Sequence, residues 1–394
     1  TSNLVAVTDG DGGTTFCISL TDASTGKAVL AVDGSHANGT EIQIDNSATD
    51  GDAFLSFQLS GTSKFTMGVD DGDSDVFKIG TTAIGTGTMF VLDTSSNISL
   101  SNNDGGTSNT ILGKLAGDDL ASGGNYNIFL GEDAGHTNKL GDNNIAIGYD
   151  AFDLSYIDDT QDALTVDNIF IGKDAGGGDW ATAASHSNIG IGSGVMDAAM
   201  NGALRNVGIG HAALGAIVDG DNNTAVGYNA GLSITEGYGN TIMGRLAGDA
   251  LVGGYNNVLL GTQAGSDTTA AIATVMIGQA TGGADIGTAA VGSVGVGAQA
   301  LNGLTSGAGN TAVGYQAADS VTTGANNTIV GHSALATANA AAVSNSALGK
   351  GALGSASSST TTGNIAIGAG SLTGGSGNLS NNISIGDYAL DDTA

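Results

Sequence analysis

Two hydrophobic rhythms divide the chain. Over the first hundred residues apolar and polar positions alternate in short runs, LVAVT, TFCISL, KAVLAV, EIQI, AFLSFQL, KFTMGV, VFKIG and MFVLD, each bounded by Asp, Gly, Ser or Asn. Alternation of period two between turn residues predicts strands joined by tight turns. From residue 109 one phrase recurs instead: Asn, three mostly apolar residues, Gly, two variable residues, then usually Ala and Gly or Leu. Clear copies are NTAVGYNAG at 223–231, NTIMGRLAG at 240–248, NTAVGYQAA at 310–318 and NIAIGAGSL at 364–372. Sixteen copies are anchored by glycines from Gly113 to Gly386, 17 to 20 residues apart except for 24 between Gly148 and Gly172. Self-similarity at a near-constant short period is the mark of a solenoid.

The phrase predicts its own place in a coil. Triplets such as Ile145-Ala146-Ile147 and Val258-Leu259-Leu260 carry no charge. Successive side chains of a strand point to opposite faces, so such a triplet is expected to be buried on both. One face is the inside of the coil. A repeat of this length has too few apolar groups left to cover the other, and the simplest cover is a second or third copy of the chain. Asn and Gly fit corners because both tolerate left-handed backbone. Stacking also sets Asn on Asn in a ladder along the axis. The small residue three positions after the glycine (Ala134, Ala175, Ala230, Ala264, Ala300) predicts a second strand or bend packed inside the coil. Polar, Gly-rich segments such as 233–239 and 321–327 read as exposed loops. With about 4.8 Å between neighbouring strands, sixteen coils make a rod of roughly 77 Å.

The expected fold is therefore all-β: a parallel β-solenoid (β-roll) of about sixteen coils over 107–394, covered by a second or third copy of the chain and preceded by an N-terminal β-rich segment (1–50) and a β-rich shaft module (51–106). Composition agrees. The 394 residues include 68 Gly and no Pro, where average usage would give about 28 and about 20. Pro cannot join a sheet interior and Gly permits tight corners. Of 38 acidic residues only Glu41, Glu132 and Glu236 are Glu, the split expected where Asp caps turns. The net charge of −29 and the scattering of nine Lys and Arg argue against nucleic acid. Residues 286–318 carry no charge, but polar residues and glycines interrupt them, so no membrane insertion is expected. Cys17 is the single cysteine and cannot form an intrachain disulfide.

The N-x-x-I-G-x-x-A phrase resembles the repeat of trimeric autotransporter adhesin heads, whose fold is a left-handed parallel β-roll wound as a trimer. Runs such as NTAVGYNAG and NTIMGRLAG, separated by Gly- and Asn-rich loops, are still more similar to repeats of phage-type tail fibre proteins. The resemblance covers about residues 107–390. The stretch from Ala53 to Leu100 is similar to a module that precedes the distal part of many phage tail fibres. These likenesses imply a non-enzymatic structural fibre: a phage tail fibre subunit that attaches to a host surface, or else a self-assembling extracellular filament or bacterial surface adhesin. The implied partners are the chain itself, in a homotrimer or end to end, and a cell-surface receptor or glycan. The implied location is extracellular, on a virion appendage or a cell surface.

Candidate chemistry is sparse. Asp9, Asp11, Asp70, Asp71, Asp73 and Asp75 form two Asp-Gly clusters able to offer oxygens to Ca²⁺, but neither has EF-hand spacing and turn chemistry is the preferred reading. His211 and His332 share the slot directly after the repeat glycine and read as exposed repeat variants; His36, His136 and His186 stand elsewhere. No Ser, His and Asp constellation emerges, and so many Asp residues make carboxylate pairs uninformative about glycoside hydrolysis. Tyr156 lies in the longest insertion and Trp180, the only Trp, in the next loop. Both are placed as surface-contact residues, against the alternative of clasping a neighbouring chain. A regular Thr array for ice or polysaccharide is weakly represented by Thr110, Thr224, Thr241, Thr311 and Thr328.

Overall fold

The computed structural model describes Ile44, residues 52–59, 62–70, 75–81, 88–92 and 98–99, and 108–391 apart from 122, 154–164, 179, 181–182, 338–340, 355–360 and 375–378. The first fifty residues, and with them Asp9, Asp11, Cys17 and His36, lie almost wholly outside the described residues, as do Asp71, Asp73 and Tyr156.

The alternating runs after residue 52 form an antiparallel meander of β1 (Ala53–Leu59), β2 (Thr62–Asp70), β3 (Val76–Gly80), β4 (Thr88–Leu92) and β5 (Ile98–Ser99), in that order across the sheet. Directly paired residues share a face. The pairs Leu55–Met67, Phe57–Phe65, Met67–Ile79, Val69–Phe77, Ile79–Phe90 and Phe77–Leu92 thus place nine apolar side chains together. Thr66, Asp70, Val76 and Lys78 lie on the opposite face, where Lys78 Nζ donates to Asp70 Oδ2 over 2.8 Å.

Beyond residue 108 the phrase winds as a solenoid. Sixteen three-residue strands, from Thr110–Leu112 to Ile383–Ile385, stack in parallel and in register. Like therefore stands on like: Ile145 on Ile169 and Ile147 on Ile171, or Thr224 on Thr241 and Val226 on Met243. Backbone bonds continue along the axis outside the strands. In one coil Asn229 N donates back to His211, while Gly231, Ser233 and Thr235 donate forward to Ala247, Asp249 and Val252.

Two recurrent positions hold the register. Every anchoring glycine has φ between +128° and +156°. A Cβ on any but the last would meet the carbonyl group of the next anchoring glycine within 2.7 Å. Coils can close to β-sheet spacing here only if this column has no side chains.

The second position is the opening Asn, which forms the expected ladder inside the coil. Asn240 offers both its backbone N–H and its Nδ2 to Asn223 Oδ1 (3.1 and 2.9 Å), and its Nδ2 also reaches Gly254 O at 2.8 Å. Asn257 repeats the pattern on Asn240. These buried amides satisfy one another, which burial demands. The ladder passes through Thr274, whose N and Oγ1 both donate to Asn257 Oδ1. The expectation that the opening Asn takes left-handed backbone is corrected: that conformation belongs to the residue before it, as at Asn143, Asn222, Asn256 and Asn326, with φ near +57°.

The small residue three places after the glycine is fully buried, as expected, at Ala134, Ala175, Ala230, Ala264 and Ala300. It sits in a turn and not in a second strand. Residues on either side of it have positive φ, so the turn alternates between right- and left-handed backbone. The segments read as exposed loops contribute to the core as well. Ile234 and Val321 are fully buried, in line with Ile217, Leu251 and Leu304 at the same repeat position, because a lone apolar residue there plugs the third side of the coil.

Core volume is shared within each coil. Where the middle strand residue is large, the residue six later is usually glycine, as in Phe129 with Gly135, Phe170 with Gly176, Ile242 with Gly248 and Leu259 with Gly265. Where it is small the order usually reverses, as in Ala146 with Phe152, Gly190 with Met196 and Gly208 with Leu214. A Cβ on Gly176 would meet the Phe170 ring at 2.7 Å. Interiors pack to crystal density, so one of the two must give way.

Candidate interaction face

Strand geometry sends the middle residue of each triplet inward and the first and third outward. The middle positions are buried, from Phe129, Ala146 and Phe170 to Ala366. The outward positions form two columns along the rod. The third-position column reads Leu, Leu, Ile, Ile, Ile, Ile, Val, Met, Leu, Ile, Val, Val, Val, Leu, Ile, Ile, without a polar member. The first-position column holds only Ile, Val or Thr, with Ser346 the one departure. In a chain that is 12% charged, this face carries no charge. Its side chains are partly or well exposed, Met243 at 51% and Leu348 at 52% among them.

Within one chain the triplets are buried on the inner face and the outer columns stand open, because the coil supplies nothing to cover them. At about 4.8 Å per strand and about 3.3 Å per residue, the face measures roughly 77 by 10 Å, or about 770 Å². The footprint of a stable interface is about 800 Å² per partner. The five threonines of the first column never stand beside a third-position threonine, so no regular two-column hydroxyl array exists.

One residue past each glycine a ridge runs beside this face. It carries Lys114, Lys173, Arg245 and Lys350, four of the chain's nine Lys and Arg, together with His211, His332 and three tyrosines. Neighbours on the ridge hold one another. Lys114 Nζ meets Glu132 Oε1 at 2.6 Å, Lys173 lies 5.6 Å from the Tyr149 ring, His211 stacks on Tyr228 at 5.2 Å, and His332 lies 5.1 Å from Tyr315. His211 and His332 are exposed, where the repeat places them.

Five places after the glycine stands a column of carboxyls, Asp153, Asp197, Asp249 and Asp319, all partly buried but Asp197, which is exposed. Burial raises the pKa of each above its ordinary 3.8. Neighbouring Asp150, Asp174 and Asp267 add to the effect at the first three, and the Asn302 side chain opposes it at Asp319.

Trp180 is not a surface residue. It is fully buried, edge-on to Phe152 at 5.0 Å and to Phe170 at 5.7 Å, with those two rings stacked at 5.6 Å. The surface-contact assignment fails because the insertion turns inward and the indole packs on the Phe152 and Phe170 rings within the core. Of the second Asp-Gly cluster, Asp70 is paired with Lys78. Among the described residues no three His, Cys, Asp or Glu side chains gather closely enough to hold a metal ion. A groove of about 520 Å³ crosses the last coils over Gly351 and Gly370, lined also by Lys350, Thr373 and Tyr388, and its described lining holds one carboxyl, Asp319. Among the described residues no helix is long and apolar enough to cross a membrane. No protein-family model, curated protein or solved structure matches the chain.

Proposed function

We propose that this chain is a non-enzymatic structural fibre subunit, a phage tail fibre component that attaches to a host surface, assembled as a homotrimer with the outer faces of its solenoid sheets turned toward sister chains. One observation carries this reading: an uncharged apolar face runs the length of a rod made by a chain of net charge −29. A large exposed apolar patch marks an interaction site. An acidic chain can approach its own copies closely only where it carries no charge. The regular register supports a mechanical role, because each coil contacts its neighbours and the rod needs no disulfide. Attachment then falls to exposed loops and the ridge, each presented once per chain and multiplied by the assembly.

Electron microscopy of the purified protein, and of its native source with a specific antibody, tests this role. Discrete rods of one length, labelled on a virion appendage, are expected. Open-ended polymers would replace the fibre reading with that of a self-assembling filament.

A further inference from the structure

The N-terminal meander is inside out. A sheet with one wet face normally turns its apolar side chains inward and its polar ones to solvent. Here Thr66, Asp70 and Lys78 are buried, while Phe57 is 54% exposed, Phe65 51% and Leu55 47%. The buried ion pair fixes which way the sheet faces, since turning it over would strand Asp70 and Lys78. Phe77 and Phe90 pack edge to face at 6.5 Å on the exposed side, so the patch is continuous across four strands.

We propose that the exposed face of β1–β4 is a second contact between copies of this chain, closed by the same face of a sister copy. The identity of the partner rests on the reading above. Four strands at about 4.8 Å and about five residues at about 3.4 Å give a footprint of roughly 300 Å². That is short of the about 800 Å² a stable pair needs. Joined to the roughly 770 Å² of the solenoid face, it brings the total to about 1,100 Å², comfortably enough. No charge interrupts either face, so one assembly covers both without bringing acidic surfaces together. The meander then acts as a clasp that adds to the solenoid contact.

The test uses the full chain in three variants, followed by sedimentation across a dilution series. Phe57→Asp with Phe65→Asp is expected to dissociate at a concentration at least tenfold higher than the parent, with the β-sheet circular dichroism of the rod unchanged. Ile147→Asp with Ile171→Asp breaks the solenoid face and tests the earlier reading separately. If that variant sediments like the parent while the meander variant is weakened, the solenoid reading falls and the clasp stands. Phe57→Trp keeps the meander apolar and serves should the aspartates unfold it: its emission, after subtraction of the parent's buried Trp180, is expected to be blue in the assembly and to shift red on dilution. Emission that stays blue in a monomer would show the face covered from within the same chain and overturn the proposal. So would unchanged dissociation of the Phe57→Asp, Phe65→Asp variant, or red emission at every concentration.

Discussion

A Cβ on Gly227 would lie 2.5 Å from the carbonyl oxygen of Gly244, its counterpart one coil along. That distance is backbone against backbone, and no side chain can rotate away to relieve it. Gly227→Ala, at φ +141°, is therefore expected to cost about 3 kcal/mol or more. Gly351 has φ +64° and open space where a Cβ would go. Gly351→Ala should cost only the left-handed penalty, about 1–2 kcal/mol. Urea unfolding of the two variants checks the contrast, and equal costs would contradict the stacking of the glycine column.

The Asn ladder makes a graded prediction. Asn223→Ala removes the acceptor for Asn240 and the donor to Asn206 Oδ1 and Gly237 O. Buried groups left unpaired cost about 1–3 kcal/mol each, so a loss of about 2–4 kcal/mol is expected. Asn223→Thr should cost less, because Thr274 already serves as a rung elsewhere. Hydrogen exchange at the amides of Asn223 and Asn240 should rise in the same order.

Core volume is coupled between Phe170 and Gly190, where an added Cβ would meet the ring at 2.7 Å. Gly190→Ala is expected to destabilise, and Phe170→Leu to recover part of that loss. A double-mutant cycle should give a coupling of about 1 kcal/mol. Trp180→Ala should cost about 3–5 kcal/mol through the cavity it leaves. Additive effects at 170 and 190 would mean that the two do not share one space.

The aspartate column sets a pH dependence of unusual sign. Burial raises these carboxyls above 3.8 in the fold. The folded chain therefore binds more protons than the unfolded one between the two values. The contribution of these groups is greatest below the unfolded pKa and is lost as pH rises through the folded one. Asp249→Asn with Asp319→Asn should raise the midpoint of thermal unfolding at pH 7 and leave it nearly unchanged near pH 4. A fall at pH 7 would show that the charged forms are held favourably instead.

Much of this architecture is legible in the sequence because it is local and repeated. The glycine anchors, the apolar triplets, the small turn residue and the Asn ladder each recur often enough to expose their spacing. Trp180 and Ile234 were misplaced for the opposite reason: each is a single apolar residue in a polar insertion, and only the closed coil reveals that the insertion turns inward. The inverted meander is invisible to alternation, which says that two faces differ but not which one is covered. Asn143 and Asn222 carry the left-handed corner next to ladder residues of the same type, so residue identity alone could not separate the two roles.

The central claim, that the outer face of the solenoid sheet is a contact between copies, is tested most directly by sedimentation equilibrium of the intact chain at neutral pH. A mass three times the 38.2 kDa of one chain, reduced toward a single chain by Ile147→Asp with Ile171→Asp, is the predicted result. A fully folded 38.2 kDa monomer at every concentration, with Met243 and Leu348 open to solvent, would contradict it.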